Sequence, residues 1–94
     1  MSVAGKTAVI TGSNSGIGLG IAEEMARAGV NVVLNSFTDS EEDHALAGRI
    51  GKEHGVSARY IKADMSKPEE CRALVEQAGA CDILINNAGI QHVA

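Results

Sequence analysis

Aromatic side chains are nearly missing from this 94-residue chain, which has no tryptophan and only Phe37 and Tyr60 as aromatic hydrophobes. Apolar residues nevertheless make up 45% of it, so any core is built from Val, Ile, Leu, Ala and Met. Small and branched hydrophobes of this kind suit closely packed strands and helices in α/β layers. Proline occurs once, as Pro68, and the two cysteines, Cys71 and Cys81, form no metal-ligand spacing. They are expected as free thiols, packed as small buried hydrophobes. No stretch approaches the ~20 apolar residues that span a bilayer. Met1–Lys6 is too short and polar for a signal-peptide core, so a soluble, cytoplasmic protein is expected, with no membrane partner. The net charge is −4 and the Lys and Arg residues are scattered, which excludes a nucleic-acid surface. Glu41, Glu42 and Asp43 form the densest acidic cluster, and they fit the first turn of a helix, where negative charge is favoured.

Chain length limits the protein to one compact unit, in which about 60–70% of the unfolded surface can be buried. Within it, two periods alternate. Thr7–Ile10 reads as a buried strand, and Ile17, Ile21, Ala22, Met25 and Ala28 recur at helical spacing until Gly29. Val30–Leu34 reads as a second strand, ending at Asn35-Ser36. A helix then starts at Ser40, with Asp43 three residues on in a capping-box arrangement. Leu46, Ala47 and Ile50 give this helix its apolar face, while Gly48 and Gly51 weaken it by about 1 kcal/mol each. Val56–Lys62 reads as strand three. Ser66 is expected to cap a third helix, with Glu69 reaching back and Pro68 in the first turn. Cys71, Leu74, Val75 and Ala78 form that helix's apolar stripe, Gly79 ends it, and Ile83–Ile85 is strand four. Strands joined by helices run parallel with right-handed crossovers. The expected fold class is therefore α/β: the β-α-β-α-β-α-β first half of a doubly wound, Rossmann-like parallel sheet, in the order 3-2-1-4.

Thr11-Gly12-Ser13-Asn14-Ser15-Gly16-Ile17-Gly18 lies directly between strand one and helix one. A turn in that position presents unpaired amides and the positive end of the helix dipole, and so favours a phosphate. Gly12 permits the tight turn, Gly16 lets a diphosphate approach, and Gly18 lets the helix lie close to the sheet. The Gly-x-x-x-Gly-x-Gly spacing lacks the Lys-Ser/Thr of a P-loop, which argues against nucleoside triphosphate hydrolysis.

This octapeptide resembles the cofactor motif of the short-chain dehydrogenase/reductase family. Asn86-Asn87-Ala88-Gly89 after strand four resembles the family's second signature, and Asp64 after strand three a position used near the adenine. The resemblance covers essentially the whole chain and implies that residues 1–94 form a nicotinamide-cofactor half-domain. Its cofactor contacts would be Gly12, Ser13, Asn14, Ser15, Gly16, Ile17, Gly18, Phe37, Ala63, Asp64, Met65, Asn87, Ala88 and Gly89. Within the family, Leu34-Asn35-Ser36-Phe37 and the run from Asn86 to Ala94 look like the bacterial D-3-hydroxybutyrate dehydrogenases. That likeness implies reversible oxidation of (R)-3-hydroxybutyrate to acetoacetate. Gln91 would help hold the carboxylate of this small hydroxy-acid or keto-acid substrate, by donating from its amide. His92 is expected in the loop rather than on the substrate.

The family's NAD enzymes usually close strand two with a carboxylate for the adenosine ribose. Here the strand closes with Asn35-Ser36-Phe37, and no Lys or Arg there or in the glycine turn could neutralise a 2′-phosphate. A phosphate without a cation binds poorly, so NAD is favoured. Phe37 would stand beside the adenine, and Asp39 serves as a turn or cap residue.

The family's chemistry needs a tyrosine followed four residues later by a lysine, whose charge lowers the tyrosine's pKa, together with a serine. The one tyrosine, Tyr60, is followed at that spacing by Asp64 and lies within strand three, where it is structural. No catalytic residue is therefore assigned. The chain is expected to be a truncated fragment, inactive alone, of a homo-oligomer (a tetramer by the resemblance). Two alternatives stay open: a stand-alone nucleotide-binding module, and a short-chain dehydrogenase with another substrate.

Overall fold

The computed structural model describes residues 4–79 and 81–87. The expectations placed on Ala88, Gly89, Gln91 and His92 lie outside them. Seven elements alternate: β1 (Thr7–Ile10), α1 (Gly16–Arg27), β2 (Asn31–Ser36), α2 (Glu41–His54), β3 (Ala58–Lys62), α3 (Pro68–Ala78) and β4 (Ile83–Ile85). The four strands form one parallel sheet in the order β3-β2-β1-β4, as the helix-linked pattern requires.

Alternation along β1 divides the core between the two faces of the sheet. Ala8 and Ile10 pack with Ala22 and Ala26 of α1 and with Ala47 and Ile50 of α2. Val9 packs the other way, with Val33 and with Leu74 and Ala78 of α3. Side chains of successive strand residues point to opposite faces, so these apolar runs bury both. The Asp82 carboxylate accepts from the Thr7 amide at 2.9 Å, while its own amide donates to the Thr7 carbonyl at 2.9 Å, fixing the register of β4.

Helix α2 starts with a complete capping box: the Ser40 hydroxyl accepts from the Asp43 amide, and the Asp43 carboxylate accepts from the Ser40 amide. Helix α3 departs from expectation. Lys67, not Ser66, is its N-cap and makes no side-chain cap. The Ser66 hydroxyl and amide both donate to the Asp64 carboxylate, at 2.7 and 2.9 Å. Glu70 rather than Glu69 reaches back, accepting from the Asp64 amide at 2.8 Å. Pro68 explains the shift, because it favours an extended residue before it and supplies no amide of its own for Ser66 to satisfy.

Four other expectations are corrected. Ile17 is 70% exposed, because the first turn of α1 stands at the sheet's carboxyl edge with no element over it. Val75 is also exposed at 41%. Neither cysteine is fully buried: Cys71 is half-buried and Cys81 is exposed in the turn before β4. Strand three starts at Ala58 rather than Val56, since the Val56 amide is held back by the Gly51 carbonyl at 3.2 Å.

The glycines of α2 are not equivalent. A Cβ on Gly51 would lie 2.9 Å from the Val56 carbonyl oxygen, so the helix needs glycine there to lie against the start of β3. A Cβ on Gly48 would meet nothing within 4 Å. Gly48→Ala is therefore expected to stabilise the protein by about 0.5–1 kcal/mol, read from the midpoint of urea unfolding. An unchanged or lowered midpoint would contradict the open space at this position.

Candidate functional site

All four strands deliver their carboxyl ends to one edge, and a cavity of about 830 Å³ opens there. Gly12, Asn14 and Ser15 reach it from β1; Ser36, Phe37 and Thr38 from β2; Ala63, Asp64 and Met65 from β3; and Asn86 from β4. Leu74, Val75 and Leu84 supply an apolar side. In an open parallel sheet this is the crevice where ligands bind.

The glycine turn is the most distinctive part of this edge. Gly12 and Gly16 hold φ of 59° and 61°, the left-handed region that non-glycine residues avoid. A Cβ on Gly16 would meet nothing within 4 Å, so that space is open to an incoming group. Gly18 is the opposite case. Its Cβ would stand 2.3 Å from the Gly12 carbonyl oxygen and 2.6 Å from Asn87 Nδ2. That Nδ2 donates to the same carbonyl at 2.9 Å, so β4 is tied to the turn directly over Gly18.

Helix α1 begins without a side-chain cap and without an acidic residue in its first turn. Helix α2, by contrast, carries a capping box and three acids in the same place. The first amides of a helix lack acceptors within it and carry partial positive charge. Those of α1 therefore stand ready for an external anion, next to the open Cα of Gly16. A dinucleotide diphosphate fits this donor set: it supplies the missing negative charge and needs the room that glycine leaves.

Residues expected at the site divide into two groups. Gly12, Asn14, Ser15, Phe37, Ala63, Asp64 and Met65 line the cavity. Ser13 does not. It is completely buried, its hydroxyl donating to the Ile10 carbonyl at 2.7 Å and accepting from the Asn35 amide at 2.9 Å. Asn87 is also buried and serves the turn through Gly12. Gly18 lies beneath the turn rather than on the cavity, and Ile17 points outward. Thr11 joins β1 to β4, its hydroxyl donating to Asn86 Oδ1 at 3.2 Å.

Several residues were missed. Thr38 lines the cavity two residues beyond β2, and Asp43 stands behind it with its carboxylate buried. Asp43 accepts from Thr38 Oγ1 at 2.9 Å and from Asn14 Nδ2 at 3.2 Å, which joins the β2 exit to the glycine turn. Burial pushes the Asp43 pKa up, but hydrogen bonds from Ser40, Asn14 and Thr38 outweigh this and hold it below the ordinary carboxylate value. The capping-box spacing pointed to Asp43, though not to this second use. Asn35 is buried with its Nδ2 donating to the Ile61 carbonyl at 3.0 Å, while its Oδ1 is buried with no partner among the described residues. Asp64 is held acidic by the hydroxyl and amide of Ser66.

Tyr60 is structural, as expected. It is buried in β3, its hydroxyl donates to the Thr38 carbonyl, and burial raises its pKa. No helix among the described residues is long and apolar enough to cross a membrane.

A family model described as short chain dehydrogenase matches residues 6–94. The D-beta-hydroxybutyrate dehydrogenase of Cupriavidus necator is 48% identical over 94 residues, covering 96% of this chain and 36% of that protein. Among solved structures, the L-sorbose reductase of Gluconobacter frateurii complexed with NADPH and L-sorbose superposes with a TM-score of 0.84. It is 40% identical, and the match covers 92% of this chain and 34% of that one. An NADH-dependent reductase complexed with NAD gives a TM-score of 0.78 at 40% identity, covering 89% and 36% of the two chains. The chain thus spans about a third of the length of the relatives it matches.

Proposed function

The chain belongs to the short chain dehydrogenase family, and from that premise we propose that it is the cofactor-binding part of an NAD-dependent oxidoreductase that interconverts (R)-3-hydroxybutyrate and acetoacetate. The observation that carries this reading is the uncapped, acid-free start of α1 beside the open left-handed Gly16. Ser15, the residue before this helix start, lines the cavity, and Gly16 next to it leaves open space for a diphosphate without itself lining the cavity. Bound nicotinamide would accept or return the hydride. The residues of this chain would hold and orient the cofactor: the amides of the turn would take the diphosphate, and Phe37 and Asp64 would stand beside the adenine. By the resemblance, Ala88 and Gly89 are assigned to the cofactor, and Gln91 to the substrate carboxylate through its amide. No lysine or arginine lines the cavity among the described residues, which favours NAD over a 2′-phosphorylated cofactor. The serine, tyrosine and lysine of the reaction belong to sequence outside this chain, so the 94 residues alone are inactive. The whole protein works in the cytoplasm as a homo-oligomer.

The substrate rests on the likeness to the Cupriavidus enzyme, together with Gln91. The likeness to the sorbose reductase favours a second reading, a polyol or sugar substrate within the same family. Assaying the whole gene product with (R)-3-hydroxybutyrate, sorbitol and glucose, each with NAD and NADP, separates the two. The expected result is turnover of hydroxybutyrate with NAD at least about tenfold above any other pairing. Preference for a sugar alcohol would replace the substrate, and absence of any dehydrogenase activity would overturn the enzymatic reading.

A further inference from the structure

Strand β2 ends without the carboxylate that commonly selects NAD, yet a carboxylate stands just behind that position on helix α2. We propose that Asp43 is the residue that sets cofactor preference, by committing the hydrogen-bond donors of Thr38 and Asn14 and placing a negative charge behind the adenosine-side wall of the cavity. This rests on the reading of the cavity as a dinucleotide site.

The donor accounting is specific. Thr38 has one hydroxyl proton, and its Oγ1 lies 2.9 Å from Asp43 Oδ2. Asn14 Nδ2 lies 3.2 Å from Asp43 Oδ1 and 3.3 Å from Thr38 Oγ1, so its amide hydrogens are also turned away from a ligand. What both side chains have left are acceptor lone pairs. A ribose carries hydroxyl donors that satisfy such a wall. An ionised 2′-phosphate carries acceptors only, and would face lone pairs with a buried anion behind them. The surroundings keep Asp43 ionised, since hydrogen bonds from Ser40, Asn14 and Thr38 outweigh the effect of burial. The other charged groups close by do not reverse the field: Asp39 is engaged with His44 at 2.6 Å, and Asp64 on the β3 side is itself an anion.

The test measures dissociation constants for NAD and NADP by equilibrium titration of the wild-type protein, Asp43→Asn, Thr38→Val and Asp64→Asn. The readout is the ratio of the NADP constant to the NAD constant. Asp43→Asn removes the charge and lets the wall reorient its donors, so the ratio is expected to fall about tenfold, the scale of a like-charge penalty. Thr38 is exposed, so valine there is expected to keep the fold, checked by cooperative unfolding. Because that change removes the group through which Asp43 reaches a ligand, the ratio is expected to fall about fivefold. Asp64→Asn removes the anion on the β3 side of the cavity, and its effect on the ratio is expected to be smaller than that of Asp43→Asn. Should Asp43→Asn fail to fold, Thr38→Val decides the matter alone. A wild-type protein that prefers NAD while Asp43→Asn and Thr38→Val keep the ratio overturns this inference and leaves the proposed function standing. A ratio that moves only with Asp64→Asn has the same effect. A wild-type protein that binds neither dinucleotide removes the proposed function, and this inference with it.

Discussion

Gly18→Ala is expected to destabilise the protein by about 2–3 kcal/mol and to weaken dinucleotide binding by at least about tenfold. A single methyl is a small addition, but this one has nowhere to go. It would stand 2.3 Å from the Gly12 carbonyl oxygen, 2.6 Å from Asn87 Nδ2 and 2.9 Å from Ser13 Cα. Two of those three neighbours are backbone, and the third is bonded to the first at 2.9 Å. Relief therefore requires α1 to lift from the sheet or the tie between the glycine turn and β4 to break. Either movement displaces the turn, which couples the stability loss to the binding loss. Urea unfolding and NAD titration of the same variant measure both. A variant of wild-type stability would show that α1 does not press on the turn as described.

Gly16→Val separates the two effects that Gly18→Ala joins. The space around this Cα is empty, so valine meets no protein atom as it leaves the backbone. What it meets is the left-handed conformation, with φ of 61°, at a cost of roughly 1–2 kcal/mol. The fold should survive that cost. Binding should not, because the valine methyls would occupy the approach of a diphosphate to the first amides of α1. A loss of about 100-fold or more in NAD affinity is expected, with the circular dichroism spectrum and cooperative unfolding retained. Wild-type affinity in a folded Gly16→Val protein would place the diphosphate elsewhere.

The contrast between these glycines shows where the sequence was legible. Strand-turn-helix order placed both in the same turn, and the sense of each was readable from its position: close packing for Gly18, ligand approach for Gly16. The parallel sheet and its order followed from apolar runs separated by helices, because handedness and crossover length leave few arrangements. Less legible was anything that depends on two segments meeting. Ser13 looked like a cofactor contact by its place in the motif, but its hydroxyl is used between β1 and β2. Asp43 read as half of a capping box, which it is, and its bonds to Asn14 and Thr38 came only with the fold. Ser66 read as a helix cap because Ser, Pro and Glu stand in the right order, and Asp64 took its hydroxyl first. Local competition between acceptors of similar strength is not encoded in spacing. Ile17 illustrates a different failure: periodicity marks a face, and cannot say that the face begins before there is a neighbour to cover it.

The claim on which the functional reading depends is that backbone amides at the start of α1 hold the diphosphate of a dinucleotide. Titrating ¹⁵N-labelled protein with NAD and following each backbone amide by NMR tests it most directly. The largest shifts should fall on Ser15, Gly16 and Ile17, with smaller ones at Phe37, Thr38 and Asp64, and inorganic pyrophosphate should reproduce the first group without the second. Saturable NAD binding that leaves the amides of residues 12–18 unmoved would contradict it.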